Sequence, residues 1–198
     1  MTLRARSASG FSALALTLQL CGCSPSYQTL RVDPKTDGYS TSTSVDPGGI
    51  AASVTTTDPR TFPVVLLITR SNIRPAGLEF TVRNALAQAG ITNVYDAEEF
   101  SRYCSDRHLT VEPDHLDGDV IRKVSTDLVP VLVVNMSYML VGEARMHAVL
   151  QVVDGRTGEV LLRVDHPRLV WSSFDGEALY PVLNQLRGWI KSSEAGAT

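Results

Sequence analysis

The chain has 198 residues and a formal net charge of −3. An acidic balance with no basic cluster argues against neutralising a phosphate backbone, so nucleic acid is not an expected partner. The length suits one domain with short extensions.

The first six residues, MTLRAR, carry Arg4 and Arg6 and no acid, and an apolar run follows from Phe11 to Leu20. That is the pattern of a secretory signal. The run is too short to span a bilayer, which takes about 20 apolar residues. Small Gly22 stands directly before Cys23, with Leu20 three residues before it. Leu20-Cys21-Gly22-Cys23 resembles the lipobox of bacterial lipoproteins. The resemblance implies that residues 1–22 are a lipoprotein signal peptide. It also implies that Cys23 receives a diacylglyceryl group and becomes the mature N-terminus, and that Cys21 leaves with the signal. Several acyl chains, at about 0.8 kcal/mol per buried CH₂, would hold the chain to a membrane. Ser24, rather than Asp, follows the cysteine, which resembles the outer-membrane default and puts the domain in the periplasm. The plainer alternative is a secreted protein with a chance cysteine. Losing Arg4 and Arg6 takes the charge to about −5 and leaves only Cys104 as a thiol. One cysteine makes no internal disulfide; it reads as a small buried apolar residue.

Residues 23–61 are rich in Ser, Thr, Asp, Pro and Gly, as in TDGYSTSTSVDPGG. They read as a lipidated polar tether, spanning about 35 Å root-mean-square as a coil. Within it, Ile50 to Val54 is a short apolar patch that could add a strand to the domain.

The domain is expected over residues 62–192, with a disordered tail over 193–198. Val64 to Ile68 is an unbroken apolar, β-branched run, the mark of a strand covered on both faces. Leu78, Val82, Ala85, Leu86 and Ala89 form a helical stripe over Ala76 to Ala89, with Gly90 placed to end it. A short strand, Ile91 to Tyr95, precedes Asp96, which with Glu99 makes a capping box for a helix burying Phe100, Tyr103 and Cys104. SDRHLTVEPDHLDGD reads as surface loop, and Asp119 to Asp127 as a helix with Val120, Ile121, Val124 and Leu128 inward. Three long strands follow: Val131 to Val141, Glu143 to Asp154, and Glu159 to Trp171. Gly142 makes the first turn and Asp154 to Gly158 the second. The last helix starts near Asp175, with Pro181 in its early turns and Leu179, Val182, Leu183, Leu186, Trp189 and Ile190 along its stripe. The order β-α-β-α-α-β-β-β-α predicts an α/β (α+β) fold: a mixed sheet with a three-strand antiparallel meander and helices packed on it.

Strand alternation sends neighbours to opposite faces. On the meander it gathers Asn135, Ser137, Arg145, His147, Gln151, Arg163 and Asp165 on a partly open face, with Arg163 and Asp165 sharing the side of Leu161. Such a stripe is either solvated surface or the docking surface of a partner.

The hairpin VVDGRTGEVL, Val152 to Leu161, resembles the D-x-x-T-G-E-V turn of periplasmic lipoproteins of the CsgG/LpoB type, whose α/β fold is related to the N-terminal domain of TolB. In that group a strand like PVVLLITR opens the domain, followed by a helix like FTVRNALAQAG. The likeness runs from Phe62 to Ile190. The chain has Leu128-Val129-Pro130-Val131 where the group has an Asp-Tyr-Val lead-in to the third strand. Members include a secretion-channel subunit and an activator of peptidoglycan synthases. The resemblance implies an envelope accessory acting through protein contacts; fold alone does not fix function.

Chemistry is sparse. Cys104, His108 and His115, with Asp106, Asp114 and Asp117, have side chains that suit zinc, but their spacing matches no common motif and an acidic surface loop explains them. There is no G-x-S-x-G, H-E-x-x-H or P-loop lysine motif. His147 and His166 fall on strands, where structural roles are commoner. Asp96, Glu98 and Glu99 are explained by capping. No catalytic residue, metal or cofactor is expected. The expectation is a lipid-anchored accessory or scaffold of a cell-envelope machine with an envelope protein partner; the alternative is a lipid or small-ligand binder of a transport system.

Overall fold

The computed structural model describes residues 31–53, 57–72, 77–142, 145–169 and 179–195. Cys23, the signal, Asp175, Trp171 and residues 196–198 lie outside them. A two-strand hairpin, β1 (Val32–Asp33) and β2 (Gly38–Tyr39), comes first. The main elements are β3 (Ile50–Ala52), β4 (Val64–Ser71), α1 (Leu78–Gln88), β5 (Val94–Tyr95), α2 (Ala97–Ser105), α3 (Gly118–Asp127), β6 (Val131–Val141), β7 (Arg145–Asp154), β8 (Val160–Leu169) and α4 (Tyr180–Ala195). The α+β expectation holds. Among the described residues there is a mixed six-strand sheet in the order β3-β8-β7-β6-β4-β5, with β6-β7-β8 antiparallel and β4 parallel to β5 and β6.

Local signals set these boundaries. Gly90 ends α1 with a φ of 92°, a backbone state that costs glycine little. The capping box at α2 is formed: Asp96 Oδ1 accepts from Glu99 N at 2.8 Å, and Glu99 Oε2 accepts from Asp96 N at 2.9 Å. The β7–β8 turn is held by Asp154, whose Oδ1 accepts from Arg156 N at 2.8 Å, while Gly158 takes a φ of 75°.

The sheet separates two cores. On one face Val65, Leu67, Leu132, Val134, Met136, Ala148, Leu150, Leu162 and Val164 meet α1 and α4 through Val82, Leu86, Val182, Leu183, Leu186 and Ile190. On the other, Val64, Leu66, Val131 and Val133 meet Phe100 and Cys104 of α2 and Ile121 and Val124 of α3. The first core runs the length of the meander. The second is small and stops after the first turns of β6.

Three sequence expectations change. The stretch expected as a tether is packed on the domain from Val32 onward. Tyr39 and Val45 are buried in the larger core, and β3 pairs antiparallel with β8, Ile50 opposite Val164. The polar chain is bound by polar means. Asn184 on α4 accepts from Tyr39 N at 2.6 Å and donates to Tyr39 O at 2.9 Å, as a neighbouring strand would. Arg187 donates to Asp37 O, Asp37 Oδ1 and Gln88 O at 2.9, 2.9 and 3.0 Å, and Lys191 also pairs with Asp37. The last helix also runs past the expected end of the domain: α4 continues to Ala195, with Ser193 buried and its Oγ donating to Trp189 O. Finally, a β-bulge between Val152 and Val153 shifts the register of β8. It places Leu161 in the larger core beside Leu162, not on the side of Arg163 and Asp165.

Candidate functional site: the half-covered sheet face

Among the described residues, the smaller core leaves the β7–β8 half of its face without a helix over it. Every residue proposed from the strand alternation lies there. The registers stack them in rows: Ile68, Asn135, Gln151 and Arg163 across four strands, then Arg70, Ser137, Val149 and Asp165. His147 lies opposite Met139 and Pro167, and Arg145 opposite Val141 near the β6–β7 turn. Asp165 is the meeting point: its Oδ1 lies 2.6 Å from His147 Nε2, and its Oδ2 lies 3.6 Å from Arg163 Nη2. Asn135, Ser137 and Gln151 are half-buried and have no side-chain hydrogen bond within the described residues.

The face deepens into a groove of about 420 Å³ where α3 overhangs the strands. Its walls come from Leu116, Asp117, Ile121 and Arg122 on one side and from the β7–β8 turn on another; Ile68, Val133, Asn135, Ser137, Val149 and Gln151 form its floor. The sequence reading missed Arg70 at its rim. The same period-two alternation that selects Ile68 in β4 reaches Arg70, so the signal was present at the polar end of an apolar run. The contribution of α3 left no such trace, because it depends on how far the second helical layer extends.

The histidine, cysteine and carboxylate residues of the 104–117 segment are not brought together. Cys104 is fully buried against Val64 and Leu66, and burial pushes its thiol pKa up. His108 and His115 are exposed, and His115 lies 3.6 Å from Glu112. Among the described residues, no group of three or more such side chains is placed to hold a metal ion.

His166 is a buried oddity on the opposite, covered face. It lies opposite Ala148, and its Nε2 is buried without a hydrogen-bond partner. Burial, reinforced by the charge of Arg168, holds its pKa below the ordinary histidine value of 6.5. The unfolded chain therefore binds a proton that the folded chain refuses, so this histidine removes stability as pH falls through about 6.5 and below. The melting temperature of the protein is expected to drop between pH 7.5 and pH 5, and His166→Leu is expected to flatten that slope. An unchanged slope would show that other groups set it.

No known family's sequence profile matches the chain, and no curated protein matches it. Solved structures do resemble it. Lipoprotein GNA1162 from Neisseria meningitidis is 16% identical and aligns over 66% of this chain and 98% of its own, with a TM-score of 0.42. The PelC dodecamer from Paraburkholderia phytofirmans is 12% identical over 71% of this chain and 94% of its own, at 0.39. The LpoB C-terminal domain from Escherichia coli is 23% identical over 57% and 87%, at 0.38. No helix among the described residues is long and apolar enough to cross a membrane.

Proposed function

We propose that this protein is a lipid-anchored accessory or scaffold of a cell-envelope machine. Cys23 carries the lipid, the outer membrane holds the anchor, and the domain works in the periplasm through protein contacts. The observation that carries the reading is the half-covered sheet face. One face of the sheet is closed by two long helices; the other ends in a broad, mixed polar surface with hydrogen-bonding side chains left open. Such a face needs no cofactor to act. The anchor supplies the rest of the mechanism, by confining the domain to one surface and raising its effective concentration near a partner.

The test is to crosslink cells, affinity-purify the tagged full-length protein from detergent-solubilised membranes, and repeat this with Arg145→Glu/Arg163→Glu. Both arginines are exposed, so the double variant is expected to melt within about 2 °C of the parent. A reproducible envelope protein should be recovered with the parent and lost with the variant. Equal recovery with both would remove this face from the interface.

A second reading, a lipid or small-ligand binder, is favoured by the groove, whose volume falls at the low end of ligand sites. Recovery of the protein alone with a lipid in its mass spectrum would decide for it.

A further inference from the structure

The groove under α3 carries both signs of charge in balance. Arg70 and Arg122 line it, and so do Asp117 and Asp154. Each carboxylate is engaged on one side only. Asp117 Oδ1 accepts from Asp119 N and Val120 N, and Asp154 Oδ1 accepts from Arg156 N and Thr157 N. Their Oδ2 atoms have no partner among the described residues. Arg122 pairs with Asp119 through Nη1, and Arg70 pairs with no carboxylate among the described residues. The lining as a whole gives no net field that would draw an ionic ligand in preference to a neutral one.

The floor also disfavours an apolar occupant. Asn135, Ser137 and Gln151 are half-buried there without side-chain partners among the described residues. An acyl chain laid over them would strip their water and return no hydrogen bond. What the lining asks for is a group that both donates and accepts. Amides and the seryl hydroxyl do both, ionised carboxylates only accept, and guanidinium groups only donate. A hydroxyl satisfies all three kinds. Asn135 and Gln151 are direct cross-strand neighbours, so their side chains start about 5 Å apart. Ser137 follows two residues on, about 7 Å along β6. Several hydroxyls on one compact frame would match that spacing. Ile68, beside Asn135, and Val149, beside Ser137, offer apolar contact to the C–H faces of such a frame.

We infer that the groove is a binding site for a neutral saccharide. Its hydroxyls bridge Asn135 and Gln151, donate to the open oxygens of Asp117 and Asp154 at one end, and accept from Arg70 at the other. This rests on the second reading above, that the groove holds a small ligand, and names its class. No aromatic ring is among the lining residues for a sugar to stack on, so binding is expected to be weak, in the millimolar range.

The probes are maltose, cellobiose and lactose. Each is titrated into full-length lipidated protein in phosphatidylcholine nanodiscs prepared without sugar-headed detergent. NMR reads the methyl signals of Ile68 and Val149 and the side-chain amides of Asn135 and Gln151. At least one disaccharide is expected to shift these signals saturably. Asn135→Ala/Gln151→Ala should weaken that binding about tenfold, and the milder Ser137→Ala about threefold, read on the Ile68 and Val149 methyls. Glucuronate and glucosamine should bind no more tightly than glucose. The inference is overturned by no shift with any of the three disaccharides, or by shifts that glycerol reproduces at equal hydroxyl concentration. Tighter binding of either charged sugar, or undiminished binding by folded Ser137→Ala, would overturn it too. If a lipid is recovered with the protein while every sugar leaves the groove untouched, the ligand-site reading stands and this inference alone falls. If neither lipid nor sugar occupies the groove, both fall.

Discussion

Arg187→Met is expected to destabilise the protein by about 2–4 kcal/mol and to release the N-terminal strap from α4. The methionine keeps the apolar stem in place, so the effect isolates the guanidinium. That group is nearly buried and joins three acceptors on two residues far apart in sequence: two on Asp37 and the carbonyl of Gln88 at the end of α1. Removing it strands these acceptors beside Lys191, which pairs with Asp37 and, among the described residues, with no other carboxylate. Trypsin should then cut after Lys35 much faster than in the parent, while the meander stays protected. Arg187→Lys should recover little, because an ammonium cannot reproduce the planar fork. Equal cleavage at Lys35 in parent and variant would show that the strap is held by Tyr39 and Val45 instead.

Phe100→Ala is expected to cost about 3–5 kcal/mol, read by chemical denaturation. Phe100 is fully buried in the smaller core, between α2 and the strand residues Val64 and Leu66. Removing the ring leaves a cavity in the cluster that also holds Leu66, Ile121 and Val124, and packed neighbours relax into such a cavity only in part. Phe100→Leu should cost less, about 1–2 kcal/mol, since it keeps most of the contact. Similar losses for both would mean that the α2 side contributes little to the global transition.

Much of this architecture is legible in the sequence, for local reasons. The apolar run of β4, the stripe of α1, the Asp96–Glu99 box and the alternation along β6 and β7 each carry their instruction within a dozen residues. Seven polar residues of the open face follow from alternation along its strands. What escaped was non-local. Nothing in TDGYSTSTSVDPGG reveals that Asn184, 145 residues beyond Tyr39, offers its backbone a strand-like pair of hydrogen bonds. A segment poor in apolar residues reads as a tether unless its polar partners are known. Leu161 was misassigned because a bulge adds a residue that a strict period of two cannot anticipate. The groove wall was invisible because it depends on where α3 lies over the sheet, not on any pattern within α3.

The strap also sets a standoff distance. With the lipid on Cys23, as proposed, the eight peptide steps to Arg31 cover at most about 28 Å even when fully stretched. A tether running to Thr61 would have allowed about 130 Å. The domain would therefore patrol a thin layer beside its own leaflet rather than sweep the space between membranes. A partner would have to come to that surface, and encounter would depend on how densely both proteins populate it rather than on their bulk concentration.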